Sequence, residues 1–227
     1  MSDLGTPAEV HPDGASNASI ATVQHPPAHV PTAGRDAGPG AQVLGDPLAL
    51  GLASFGLSVL TAGVFNAGLV DMSAVAASIV IALGSGFVTQ LIAGIVAFRR
   101  GETFVGVVFT TFSGFWLGIS ALQLIFIPRI VEAGGSPGAC IGVFLLAWGV
   151  VSAYVWVASL ATTKINGVVF GIGTLALFVI GIGVLVNSAA TVALGGWLQI
   201  VTGVALLYLS AATIIAEMFG RPVLPVV

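Results

Sequence analysis

The sequence predicts an all-α polytopic membrane protein, with six transmembrane helices per protomer behind a disordered N-terminal tail, and three observations carry this. Of 227 residues 57% are apolar and only 7% charged, with a mean hydropathy of +1.10, whereas soluble proteins carry about 25% charged residues. The charges are also uneven. Asp3, Glu9, Asp13, Arg35 and Asp36 fall in the first 45 residues, which leaves ten for the rest of the chain, too few to cover a soluble domain. From Asp46 onward the chain is a series of apolar runs of about 21 to 26 residues, each long enough to cross a hydrocarbon core of about 30 Å as a helix. These runs do not alternate at period two, which excludes a β-barrel.

Residues 1–45 come first and differ in kind. Six prolines and six glycines interrupt any periodicity there, so this segment is expected to be a disordered cytoplasmic tail. It lacks the basic start, apolar run and cleavage site of a secretory signal. All three histidines, His11, His25 and His29, lie in it at irregular spacing. The membrane domain, 46–227, follows with six spans: Pro47 to Val70, Ser73 to Phe98, Phe104 to Ile127, Gly138 to Leu160, Asn166 to Val186 and Gly196 to Met218. Arg99-Arg100-Gly101-Glu102 and Pro128 to Pro137 punctuate them strongly, while the breaks near Asp71 and Asn187 are softer.

Six spans put both termini on one side. That side would hold Arg35, Arg99, Arg100, Lys164 and Arg221, the other only Arg129, which places both termini in the cytoplasm, with a bacterial inner membrane as the expected location. A net charge of −3 without a basic stripe removes the basis for a nucleic-acid partner. Cys140 has no partner for a disulfide. No nucleophile–base set, metal cluster or phosphate loop is visible, so neither an enzyme nor a cofactor is expected.

Asp, Glu, Lys, Arg and His are missing from the middle of every span. Pumps and many ion-coupled carriers hold ionisable groups there. Asp46, Asp71, Glu102, Glu132 and Glu217 sit at span edges, as caps or solvated charges. Within the spans the polar residues are neutral. Most hydroxyls can bond a helix carbonyl, but an amide has two donors and two acceptors, so Asn66 and Gln90 need a partner, water or a permeant solute. Small residues four apart, as at Gly114 and Gly118, Gly167 and Gly171, and Ser54, Ser58 and Ala62, suit close helix packing or a narrow pore.

The run DPLALGL at Asp46 to Leu52, where Asp46 can cap a helix begun by Pro47, resembles the NPAPLGL signature of the acetate uptake transporter family, which includes succinate–acetate permeases. QLIAGIVAFRRGETF from Gln90 to Phe104, TTFSGFWL from Thr110 to Leu117, FLLAWG from Phe144 to Gly149, GGW from Gly195 to Trp197 and FGRPVLPV from Phe219 to Val226 continue the likeness in order. The resemblance implies six helices per protomer, a pathway through each, a homo-hexamer in lipid, and movement of acetate or a similarly small carboxylate, commonly with a proton. It retains Pro47, Leu50, Gly51 and Leu52 of the first signature, and matches the family's constriction residues to Phe55, Phe112 (for a tyrosine) and Gly173 (for a leucine, which would leave a gap). Asp46 stands for the signature's Asn, Leu48 and Ala49 for its Ala and Pro, Phe65 for a frequent His, Ala97 for a frequent Glu, and Thr213 and Ala216 for Glu and Asn.

The expected pathway residues are thus Asp46, Pro47, Leu50, Gly51, Leu52, Phe55, Asn66, Gln90, Phe112, Trp116, Gly173 and Tyr208. A helix N-terminus offers unpaired N–H donors to a carboxylate and Gly51 lets a solute approach the backbone, although an ionised Asp46 would repel an anion. Phe55, Phe112 and Trp116 read equally as packing aromatics, and Tyr208 equally as an interfacial anchor. A protonated acid crosses an apolar neck more cheaply than its anion, so the solute can carry its own proton. Two rivals are a passive channel, whose flux would fail to concentrate the solute under a proton gradient, and a membrane scaffold with no flux.

Overall fold

The computed structural model describes residues 44–226, so all of the predicted tail except Leu44 and Gly45, and with it the three histidines, lies outside the described residues. Six helices long and apolar enough to span a membrane follow: α1 Leu48–Asn66, α2 Met72–Arg99, α3 Thr103–Glu132, α4 Pro137–Ser159, α5 Lys164–Leu185 and α6 Ala189–Phe219. Valines and leucines such as Val80, Val143, Val157 and Leu175 are exposed on the outside. This is the surface of an integral membrane protein, apolar because its solvent is lipid.

Short polar side chains start the helices. The Asp46 carboxylate accepts from the Leu48 N–H at 2.8 Å, and Asp71 accepts from Ser73 N–H at 2.8 Å ahead of α2. Hydrogen bonds from the Ser73 side chain and backbone hold the Asp71 carboxyl below its ordinary range. Ser136, Thr163 and Ser188 accept from the N–H three residues on, at Ala139, Asn166 and Thr191, each at 3.3 Å. At the other end of α6, Gly220 takes a left-handed conformation at φ 64° that stops the helix.

The end of α1 falls at Asn66, before the predicted Val70, and two boundaries differ further from those read from the sequence. Pro128 does not end α3, which continues to Glu132. The preceding Leu122–Phe126 widens into a π-helix, which relieves the clash of a proline ring with the carbonyl four residues back. A longer π stretch, Ala82–Thr89, lies in α2 at a Gly84-Ser85-Gly86 run. The second difference is α6, which begins at Ala189 and runs through Gly195 and Gly196. Those glycines lie inside the helix as packing contacts, and the break stays near Asn187.

The most extensive contact in the fold is between α1 and α6. It is backbone against backbone. A Cβ on Gly56 would sit 3.0 Å from the Gly203 carbonyl oxygen, and one on Gly63 would sit 2.8 Å from that of Gly196. A Cβ on Gly203 would meet Leu60 N at 2.6 Å, and one on Gly196 would collide with Ala67 N. In lipid there is no hydrophobic drive between helices, so such close approach supplies the adhesion. Elsewhere Gly114 and Gly118 of α3 face the rings of Trp148 and Phe144, while Gly167 and Gly171 of α5 receive Leu160, just past α4, and Trp156 of α4. These are packing positions.

Gly196→Ala and Gly203→Ala are each expected to lower stability by about 1–3 kcal/mol, because backbone atoms cannot move aside as a side chain can. Gly84, with nothing within 4 Å of an added Cβ, is the comparison: thermal unfolding in detergent should show no loss for Gly84→Ala. Equal losses at all three positions would contradict the contact.

Candidate functional site

Three chambers follow one another through the bundle. The first lies at the end where α1 begins, has a volume of about 260 Å³, and is lined by Leu48 and Leu52 of α1, Phe104, Val108 and Phe109 of α3, Asn166 and Phe170 of α5, and Leu209 and Thr213 of α6. The central one is only about 40 Å³ and is lined among others by Phe55, Val59, Phe112, Gly173, Thr202 and Leu206. The third, about 350 Å³, lies toward the far end among Phe65, Asn66, Ile119, Ser120, Gln123 and Val184. Phe170 borders the first two chambers, and Phe115, Trp116 and Gln199 border the last two. Three cavities sharing walls in this order trace a route along the helix axes.

The middle of the route is an aromatic neck. The rings of Phe55 and Phe112 lie 4.8 Å apart at 33°, a stacked contact between α1 and α3. Trp148 of α4 backs this pair, 6.3 Å from Phe112 and 5.5 Å from Phe115, and Phe115 meets Trp116 edge-on at 4.9 Å. Trp116 is held from behind by α2, where a Cβ on Gly86 would lie 2.5 Å from its ring and 2.8 Å from Ser58 Oγ. Opposite, Gly173 leaves a space whose nearest boundary for an added Cβ is the Thr202 methyl at 3.3 Å.

Every polar group along the route is neutral. Among the described residues no Asp, Glu, Lys, Arg or His lines the three chambers. In the central chamber Ser152 pairs with Thr174 at 2.8 Å, and Thr202 donates to the Leu198 carbonyl at 2.9 Å. Between the central and far chambers the Asn66 amide donates to Gln199 Oε1 at 2.8 Å. Trp116 Nε1 and Ser120 Oγ, one helical turn apart on α3, are buried without a partner among the described residues. A solute with acceptor oxygens would satisfy them.

Charge gathers instead at the end where α1 begins. Arg100 Nε donates to Glu102 at 2.6 Å, and Nη1 to the Leu44 carbonyl. The hydrogen bond with Glu102, and more weakly the fields of Glu102, Asp46 and Glu217, raise the Arg100 pKa further. The field of Asp46 thus reaches Arg100, whose charge is itself paired with Glu102.

The expected site residues divide by placement. Leu52, Phe55, Asn66, Phe112, Trp116 and Gly173 line the chambers. Asp46 and Pro47 stand at the start of α1, the first exposed and the second buried with its carbonyl accepting from Gly51 N–H at 2.9 Å. The other four lie outside the chamber linings. Leu50 is 46% exposed on the outer surface. Gly51 does not admit a solute to the backbone, because the Phe109 ring occupies the space an added Cβ would take. Gln90 is 0% exposed, and neither amide atom has a partner among the described residues. Tyr208 is 41% exposed, and its hydroxyl donates to the Pro225 carbonyl at 2.7 Å. Gln199 and Phe170 line the chambers as well, outside the expected set. The amide argument applied to Asn66 holds equally for Gln199, whereas nothing in the sequence distinguishes Phe170 from other span aromatics.

The Ser152–Thr174 pair gives a local test. Ser152→Ala and Thr174→Val are each expected to cost about 0.5–2 kcal/mol, since either leaves a buried hydroxyl or its place unmatched. The double variant should cost less than the sum of the two, read from unfolding in detergent. Strict additivity would show the hydroxyls are uncoupled.

Comparison with known proteins bears on this route. The chain is similar to the succinate-acetate/proton symporter SatP of Escherichia coli (strain K12), with 29% identity over 185 residues, covering 81% of this chain and 95% of that protein. An uncharacterised protein of Methanothermobacter thermautotrophicus is 28% identical over 187 residues, 79% of this chain and 90% of its own. Among solved structures, that of the bacterial acetate channel SatP superposes with a TM-score of 0.74 at 27% identity, covering 81% of this chain and 99% of that one. Residues 34–225 match the family model described as GPR1/FUN34/yaaH. By its sequence and by its six-helix bundle, the chain belongs to the GPR1/FUN34/yaaH family.

Proposed function

We propose that this protein carries acetate or a similarly small monocarboxylate, with succinate as a larger candidate, across the membrane as the protonated acid, in proton-linked uptake. The observation that carries the reading is the uncharged route with its aromatic neck, together with similarity to proteins named as an acetate symporter and an acetate channel. A carboxyl group of pKa roughly 4–5 costs about 3–4 kcal/mol to protonate at pH 7. Burying its unpaired anion in an apolar neck costs more, several kcal/mol even after relaxation. The neutral acid is therefore the cheaper passenger, and no relay residue is required.

In this reading Phe55, Phe112 and Trp116 form the gate, Gly173 sets its width, and Asn66, with Gln199 and Ser120, receives the carboxyl group in the far chamber. Residues 1–45 form a cytoplasmic tail and 46–227 the transport domain. Both termini face the cytoplasm of a bacterial inner membrane, as the five-to-one division of cations supports. Assembly as a homo-hexamer is proposed from the family resemblance alone.

A passive anion channel is the second reading. What supports it over an obligate symporter is that no acidic side chain lines the route among the described residues to relay a proton. Labelled acetate flux into proteoliposomes, after subtracting the empty-vesicle leak, separates the two. Carriage of the neutral acid predicts a flux that follows the pH gradient, rises about tenfold per unit as pH falls from 7 toward 5, and ignores an imposed voltage. An anion channel predicts flux that follows voltage and not pH. Absence of protein-dependent flux would remove acetate from the assignment.

Gly173→Leu, which fills the central chamber, is expected to lower protein-dependent flux at least tenfold, whereas Leu50→Ala on the outer surface leaves it unchanged. Undiminished flux in Gly173→Leu would move the route elsewhere.

A further inference from the structure

The route leaves the segment after α6 unexplained. Tyr208 lies twelve residues before Gly220, about 18 Å along the helix, yet its hydroxyl bonds the carbonyl of Pro225, 2.7 Å away and beyond the turn. The five residues from Gly220 to Pro225 reach about 18 Å at full extension. The segment therefore folds back along α6, with bends at Arg221 and Leu224. Its composition suits this: Pro222 and Pro225 hold the residues before them, Arg221 and Leu224, out of helical geometry. They also remove two N–H groups that a segment without regular structure would leave unpaired at the membrane edge. The result brings Val226 into the lining of the first chamber, beside Leu48, Phe104 and Thr213. That chamber borders the neck through Phe170.

We propose that residues 221–226 form a hook across the mouth of the first chamber, with Tyr208 as its positioning residue, and that release of the hook sets access to the route from this end. The latch is one neutral hydrogen bond at a partly exposed side chain, so the hook opens and closes thermally, and loss of the bond shifts the closed-to-open ratio about three- to tenfold. Val226 is the moving part of the wall; Leu48, Phe104 and Thr213 belong to membrane helices and stay in place. The proposal rests on the transport reading for its physiological meaning, but its geometry does not.

The test therefore uses a readout without acetate. In the full chain with Cys140→Ser, Thr213→Cys places a thiol in the first chamber, and Ser73→Cys places a comparison thiol at the far end. Labelling by a membrane-impermeant maleimide, in vesicles opened to both sides, should be three- to tenfold faster at Thr213→Cys when Tyr208→Phe is added. Val226→Gly should accelerate it as well, and Ser73→Cys should label at one rate in every background. Unchanged Thr213→Cys labelling in both variants would overturn the hook, whatever the acetate flux. Faster labelling at Ser73→Cys too would mean general loosening and would also count against it. Absent acetate flux with the expected labelling would sink the transport reading and leave the hook standing.

Discussion

The architecture depends on one contact, the approach of α1 to α6 at backbone distance. Gly56 against Gly203 and Gly63 against Gly196 recur at the same seven-residue interval on both helices, so two helices of 19 and 31 residues are fixed in register as well as in distance. Register is what the site needs. With it set, Asn66 and Gln199 meet across 133 residues of sequence, Ser210 Oγ reaches the Ala49 carbonyl at 2.6 Å, and Phe55 is presented to Phe112 of α3. A larger residue at any of these glycines would separate the helices and move the polar pair and the neck together.

The chemistry of the route follows from what lipid permits. A membrane interior penalises charge heavily and a neutral amide or hydroxyl less. This bundle uses only the second kind in its chambers, pairing Ser152 with Thr174 and Asn66 with Gln199. Charges stand at the ends, where Arg100 binds Glu102 and lies in the fields of Asp46 and Glu217. Selectivity in such a route comes from size and from the cost of desolvation, because no fixed charge along it attracts one ion over another.

The number of helices was legible because run length against bilayer thickness is a simple physical constraint. Their ends were less so. The last span reads as starting at Gly196, and only the neighbouring α1 backbone reveals why small residues sit within it; Pro128 reads as a stop, and only the π-helical turn before it lets α3 continue. The site was partly legible for a similar reason. Helices apolar on all sides carry almost no moment to distinguish inside from outside. Thus Leu50 and Leu52, two apart in one motif, face opposite environments. Polar residues gave better signals, yet even these failed where the answer was a partner and not a solute, as with the Tyr208 hydroxyl.

The Asn66–Gln199 pair has a symmetry that its hydrogen bond conceals. Each amide carries a donor on one side and an acceptor on the other, so turning both end groups by half a rotation restores the same bond with donor and acceptor exchanged. In either arrangement the wall between the central and far chambers keeps one amide oxygen and one amide N–H free, and the turn exchanges which residue shows which. A carboxylate and its conjugate acid ask for opposite things, the one needing donors and the other also an acceptor for its proton. A pair of amides has both kinds of group without carrying charge, so a wall built from it keeps its charge in either arrangement.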